Sequence, residues 1–169
     1  MFDKEFGAFF YRGIDGENLL HYISQKDTNI APYLEQAAEW IARLHKIPAT
    51  QKENFNPENS RIQTVLPGPQ KFIPKIKRKF PKLSPQVNEY FEKLVQQETR
   101  SIARLDREYL IHGDFHPENV IINATDGKVS VIDFTDICMG DWARDIGSLM
   151  QQLRYMSRGK RSDEETKKH

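Results

Sequence analysis

A chain of 169 residues with a formal net charge of +1 is long enough for one domain that buries roughly 70% of the surface its unfolded chain exposes, and too near neutrality for composition to favour a nucleic-acid partner. Its single cysteine, Cys138, excludes an intramolecular disulfide and is compatible with a reducing compartment. No apolar run approaches the roughly 18 residues that span a bilayer, and the first residues lack a secretory apolar core, so a soluble, cytoplasmic protein with no membrane partner is expected.

From the start, Phe6 to Tyr11 reads as a short strand that breaks at Arg12-Gly13. Asp15-Gly16 is a turn signal, and Asn18 to Ile23 begins a helix. From Pro32 to Ile47 the apolar spacing is helical: Tyr33, Ala37, Ile41 and Leu44 share one face, with Leu34, Ala38 and His45 beside them. Pro32 suits the first turn and Pro48 closes the end. This helix is expected to be the central scaffold, with His45 a satisfied structural histidine rather than a ligand.

Between Ala49 and Pro69 the chain turns polar and reads as a long surface connection. Lys71 to Lys82, KFIPKIKRKFPK, reads as a short helix interrupted by Pro74, with a solvated basic face and with Phe72, Ile73, Ile76 and Phe80 packed inward. Ser84-Pro85 forms a cap and first-turn pair, after which Val87, Tyr90, Phe91, Leu94 and Val95 follow the helical rule. That helix, from Pro85 to about Ala103, is expected to pack on the first long one. Asp141 to Tyr155 reads as a further helix with Ile146, Leu149, Met150 and Leu153 inward, and the charged, aperiodic stretch from Ser157 on reads as a disordered tail.

The chemistry lies between Tyr109 and Phe134, YLIHGDFHPENVIINATDGKVSVIDF. An apolar run, Tyr109 to Ile111, leads into the polar cluster His112, Asp114, His116, Glu118 and Asn119. Val120 to Ile122 and Val129 to Ile132 then form a hairpin about the Asp126-Gly127 turn, ending on Asp133. Asp114 and Asn119 are five residues apart on a loop pinned by Pro117, and the hairpin returns Asp133 to them, so three oxygen-bearing side chains can converge. Such oxygen donors suit a hard cation, and Mg²⁺ is usually held by one or two carboxylates together with substrate phosphates.

At HGDFHPEN, VIDF and GDWARDIG the sequence resembles the aminoglycoside phosphotransferase and choline kinase family, a branch of the protein-kinase-like fold. The resemblance implies an α+β, mainly helical fold, the C-terminal lobe of a kinase with a short catalytic β-hairpin. It implies an ATP- or GTP-dependent phosphotransferase acting on the hydroxyl of a small molecule such as an aminoglycoside, an amino alcohol or a sugar derivative. Asp114 then receives or orients the acceptor proton, and Asn119 and Asp133 bind the Mg²⁺ that bridges the nucleotide phosphates. An ordinary Asp, with a pKa of about 3.9, is a weak base for an alcohol, so positioning is expected to matter more than proton abstraction. His112 and His116 brace the loop, Asp145 fastens it from below through backbone contacts, and Phe10, Tyr11 and Arg12 correspond to the hinge that meets the adenine.

Thr135 stands where protein kinases have Gly, which favours the small-molecule branch, and Trp142 replaces that branch's usual Pro. No Gly-rich phosphate loop or strand lysine precedes the motifs. The expectation is therefore a chain that begins near the hinge, without the nucleotide-binding N-lobe of a longer protein or the last helices of the large lobe. Residues 1–156 are read as the lobe core: 1–16 hinge and entry, 17–108 helical subdomain, 109–134 catalytic loop and metal-binding hairpin, 135–156 the following helix. Residues 157–169 are the tail. Two other readings compete: a non-catalytic kinase-like fragment or scaffold, and a metal-dependent hydrolase in which His112, Asp114 and His116 alternate along a strand to bind a transition metal.

Overall fold

The computed structural model describes residues 2–3, 8–9, 13–25, 27–49, 55–65 and 67–158. The hinge expectation at Phe10, Tyr11 and Arg12 lies outside these, as does the tail from 159. Of the expected first strand, Ala8–Phe9 (β2) is described, paired antiparallel with Phe2–Asp3 (β1).

The architecture is α+β and mainly helical. Gly16–Asn18 (β3) runs directly into Leu19–Ser24 (α1), and Asn18 caps that helix by accepting the His21 N–H at 3.0 Å. The expected turn at Asp15-Gly16 is instead the start of a strand, because Gly16 to Asn18 pair with Asn123 to Ile121 of the hairpin. Ala31–His45 (α2) buries Leu34, Ala37, Ile41, Leu44 and His45, leaving Tyr33 half-buried and Ala38 exposed.

Residues 55–65 are not a plain surface connection: Pro57–Ser60 forms a 3-10 turn whose Asn59 and Ser60 are buried. Pro69–Lys79 (α3) continues through Pro74 rather than stopping there. Proline forfeits one N–H there, while Ile73 and Ile76, half-buried on the side of the next helix, hold the segment. Phe72 and Phe80 are exposed, contrary to expectation.

Ser84–Ile102 (α4) starts one residue earlier than expected. Ser84 makes no capping bond because it lies inside the first turn, buried, with Leu83 at the cap position. The main partner of α4 is α3, not α2. That shallow pairing half-buries Val87, Phe91 and Val95 and leaves Tyr90 and Leu94 in solvent.

Tyr109–Ile111 (β4) pairs antiparallel with Cys138–Gly140 (β7), a strand too short to show in the sequence. Val120–Asn123 (β5) and Val129–Val131 (β6) form the expected hairpin, with Val120 opposite Val131, and β3 on its other edge gives the order β3-β5-β6. Ala143–Met156 (α5) turns Leu149 and Leu153 inward, while Met150 is exposed. The core joins α1, α2, the β3-β5-β6 and β4-β7 sheets and α5 through Leu19, Ile23, Ile41, Leu110, Phe115, Val120 and Leu149, and Phe115 carries it into the polar loop from His112 to Asn119.

Candidate active site

The loop after β4 is held from behind by one buried carboxylate. Asp145, in the first turn of α5, accepts the His112 N–H at 2.9 Å and the Gly113 N–H at 3.0 Å, and its Oδ2 also takes the His45 Nε2 proton at 2.9 Å. A fully buried charge needs such partners to offset desolvation, and these come from α2 and from the loop itself. Gly113 sits at φ +85°, with the Asp136 carbonyl oxygen 2.2 Å from where a Cβ would stand, so only glycine lets the two loops approach so closely.

Two histidines brace the loop. His112 is buried, and its Nε2 donates to the Ile132 carbonyl at 3.0 Å, so Nδ1 is the bare nitrogen that faces the Asp114 N–H at 3.4 Å. In His116, Nδ1 accepts the Glu118 N–H at 3.2 Å, and Nε2 lies 3.3 Å from both Asp114 Oδ2 and Asn119 Nδ2. The Asp114 side chain is 47% exposed, so its carboxylate is both oriented and open to an incoming molecule.

Pro117–Asn119 is a 3-10 turn that carries Asn119 inward. Its Nδ2 donates to the Asp114 carbonyl at 3.0 Å, which leaves the amide oxygen as the atom to offer a cation. The Ile132 N–H donates to the Asn119 carbonyl at 3.0 Å, so the hairpin returns to the Asn119 backbone one residue before Asp133. Asp133 is exposed and sits at φ +63°. The Thr135 hydroxyl, 2.7 Å away, holds its carboxyl below the usual carboxylate range, helped by the Thr135 N–H and the His112 and His116 rings.

One carboxylate and one amide oxygen, with a second carboxylate on the loop, are a donor set suited to a hard cation shared with a phosphate-bearing ligand. Among the described residues no three His, Cys, Asp or Glu side chains gather to hold a metal. The alternation of His112, Asp114 and His116 is not strand geometry, since the residues lie in a loop, and both His112 nitrogens are committed to the protein. The hydrolase expectation finds no support among the described residues, where no such cluster forms and both His112 nitrogens meet backbone groups.

Three supporting residues had no signal in the sequence. Trp40 of α2 stacks on Phe115 at 6.5 Å between ring centroids and leans on Phe134 at 5.8 Å, while His112 lies 5.0 Å from Phe134. Asn56 Nδ2 donates to the Thr135 and Ile137 carbonyls at 2.9 and 2.8 Å, and Asn59 Nδ2 to Asp136 Oδ1 at 2.8 Å. The tripeptide Pro-Glu-Asn occurs at 57–59 and 117–119, and both copies form 3-10 turns.

A family model described as APH, phosphotransferase enzyme family, matches residues 3–166. Among solved structures the chain is similar to aminoglycoside phosphotransferase APH(3'')-Id from Streptomyces rimosus ATCC10970, with 20% identity and a TM-score of 0.49, over 85% of this chain and 53% of that one. For the complex of that enzyme with ADP and streptomycin the identity and TM-score are again 20% and 0.49, over 85% and 54% of the two chains. The chain thus spans about half the length of the solved structures it matches. No curated protein matches it.

Proposed function

Because the chain belongs to the phosphotransferase enzyme family, we propose that it serves the transfer of the terminal phosphoryl group of ATP or GTP to a hydroxyl of a small molecule, such as an aminoglycoside, an amino alcohol or a sugar derivative. The observation that carries this reading is the pairing of roles on one loop. Asp114 presents a half-exposed carboxylate steered by His116, and Asn119 turns its amide nitrogen inward to the Asp114 carbonyl.

In this reading Asp114 accepts the hydrogen bond of the acceptor hydroxyl and aligns its oxygen. Alignment counts because phosphoryl transfer needs little covalent help from the protein and depends on positioning and charge stabilisation. Asn119 and Asp133 hold Mg²⁺, which when bound neutralises charge on the phosphate oxygens. Asp145 acts through the backbone, fixing the His112 and Gly113 N–H groups and with them the approach of Asp114. His112 ties the loop to the hairpin at Ile132, so that Asp114 and Asp133 keep one spacing.

The test is phosphate transfer from ATP or GTP with Mg²⁺, measured on this chain and on one extended upstream, unsubstituted and with Asp114→Asn. The variant is expected to lose about 10²–10⁴-fold in kcat while Mg²⁺-dependent nucleotide binding stays within about twofold, since Asp114 faces the acceptor. Absence of transfer and of Mg²⁺-dependent nucleotide binding in both chains overturns the reading and favours a kinase-like scaffold.

A further inference from the structure

Asp133 is the one described residue other than glycine at positive φ, +63°. A left-handed conformation is costly for a residue with a Cβ and persists only where the surroundings hold it. Thr135 holds it locally, its N–H and hydroxyl both directed at Asp133 Oδ1.

The segment that follows is gripped from elsewhere in the chain. Asn56, half-buried just before the Pro57–Ser60 turn, spends the two protons of its amide on the carbonyls of Thr135 and Ile137, which locks a bend between them. Its neighbour Asn59 donates to Asp136 Oδ1, and the Asn59 carbonyl in turn receives the Arg144 guanidinium from the first turn of α5. The grip is thus anchored to the helix whose Asp145 holds the loop of Asp114. If Asn56 let go, the bend from Thr135 to Ile137 would lose the two side-chain bonds that tie its carbonyls to the Pro57–Ser60 turn.

We propose that Asn56 is a positioning residue for the Asp133 carboxylate, clamping residues 135–137 so that a divalent cation finds that carboxylate already oriented. This rests on the reading above, in which Asp133 and Asn119 hold the cation. Asn56 touches neither substrate nor metal and acts only through the clamped segment.

The probe is Mn²⁺, titrated into the full chain with ADP and followed by the electron paramagnetic resonance of the free ion, alongside amide hydrogen exchange at residues 133–137. Asn56→Ala removes the donors, and Asn56→Leu removes them while keeping side-chain bulk and adding no charge. Both are expected to bind Mn²⁺ about tenfold more weakly, the scale of one lost hydrogen bond, and to exchange faster at 135–137. Glu58→Gln, on the exposed side of the same turn, should match the unsubstituted chain. Unchanged Mn²⁺ affinity in a folded Asn56→Leu overturns the role of Asn56 and leaves the phosphotransferase reading standing. No Mn²⁺ binding by the unsubstituted chain, either as it stands or extended upstream, sinks both. Global unfolding of both variants overturns the positioning role in favour of a purely structural one.

Discussion

The charge on Asp133 is governed by its second neighbour along the chain. The Thr135 hydroxyl bonds the ionised carboxyl, so its folded pKa lies below the ordinary 3.8. A group depressed in this way contributes stability that is fully present above the unfolded value and is lost as pH falls through the lower folded value. In Thr135→Val the N–H bond remains and the hydroxyl donor goes. The Asp133 carboxyl is then expected to titrate at a higher pH, read from its carbon shift in an NMR titration, and an unmoved midpoint would reject Thr135 as the cause. This much is local and could be read from Asp-Phe-Thr. The contribution of Asn56 could not, since an amide that bonds carbonyls 79 and 81 residues away leaves no periodic trace. Trp40 was hidden for a related reason. It stands beside the apolar stripe of α2, and only the arrival of Phe115 and Phe134 makes it part of the site.

Among the helices, α2 bears most directly on the hairpin. Its Gln36 donates to the Gly127 carbonyl at 3.4 Å and accepts the Val129 N–H at 3.1 Å, so a helix side chain stands in for a missing strand at the turn. Gln36→Ala leaves the Val129 N–H without that partner and is expected to cost about 1–2 kcal/mol in chemical denaturation, with faster exchange at Val129; an unshifted midpoint would mean the hairpin does not rely on α2. The helices were legible because apolar residues at 3.6-residue spacing recur over several turns. The strands β3 and β7 are three residues each, too short for alternation to register. The α3 and α4 stripes predicted burial that did not follow, because amphipathic spacing specifies a face and says nothing of how much protein will cover it.

At the scale of the whole molecule, the candidate site depends on chain segments far apart in sequence. Residues 16–18 close the hairpin sheet against residues 121–123, and Gly16, at φ +150°, has the Ile122 carbonyl oxygen 2.0 Å from where a Cβ would stand. Gly16→Ala is therefore expected to detach this edge strand, lowering stability by about 2 kcal/mol and quickening amide exchange in residues 121–123. A melting temperature equal to that of the unsubstituted chain would show that the edge contributes nothing.

The sequence alone determined the loop and hairpin, the identity of the polar residues on them, and the helices that flank them, because each rests on local spacing, turn chemistry or a short motif. Only the tertiary structure decided that Asp145 holds the loop of Asp114 through its backbone, that His112 is consumed by backbone bonds, and that Asn56, Asn59 and Trp40 support the loops around Asp114 and Asp133. Those outcomes depend on which distant groups remain to satisfy a buried donor or acceptor, and that is settled only when the whole chain has packed.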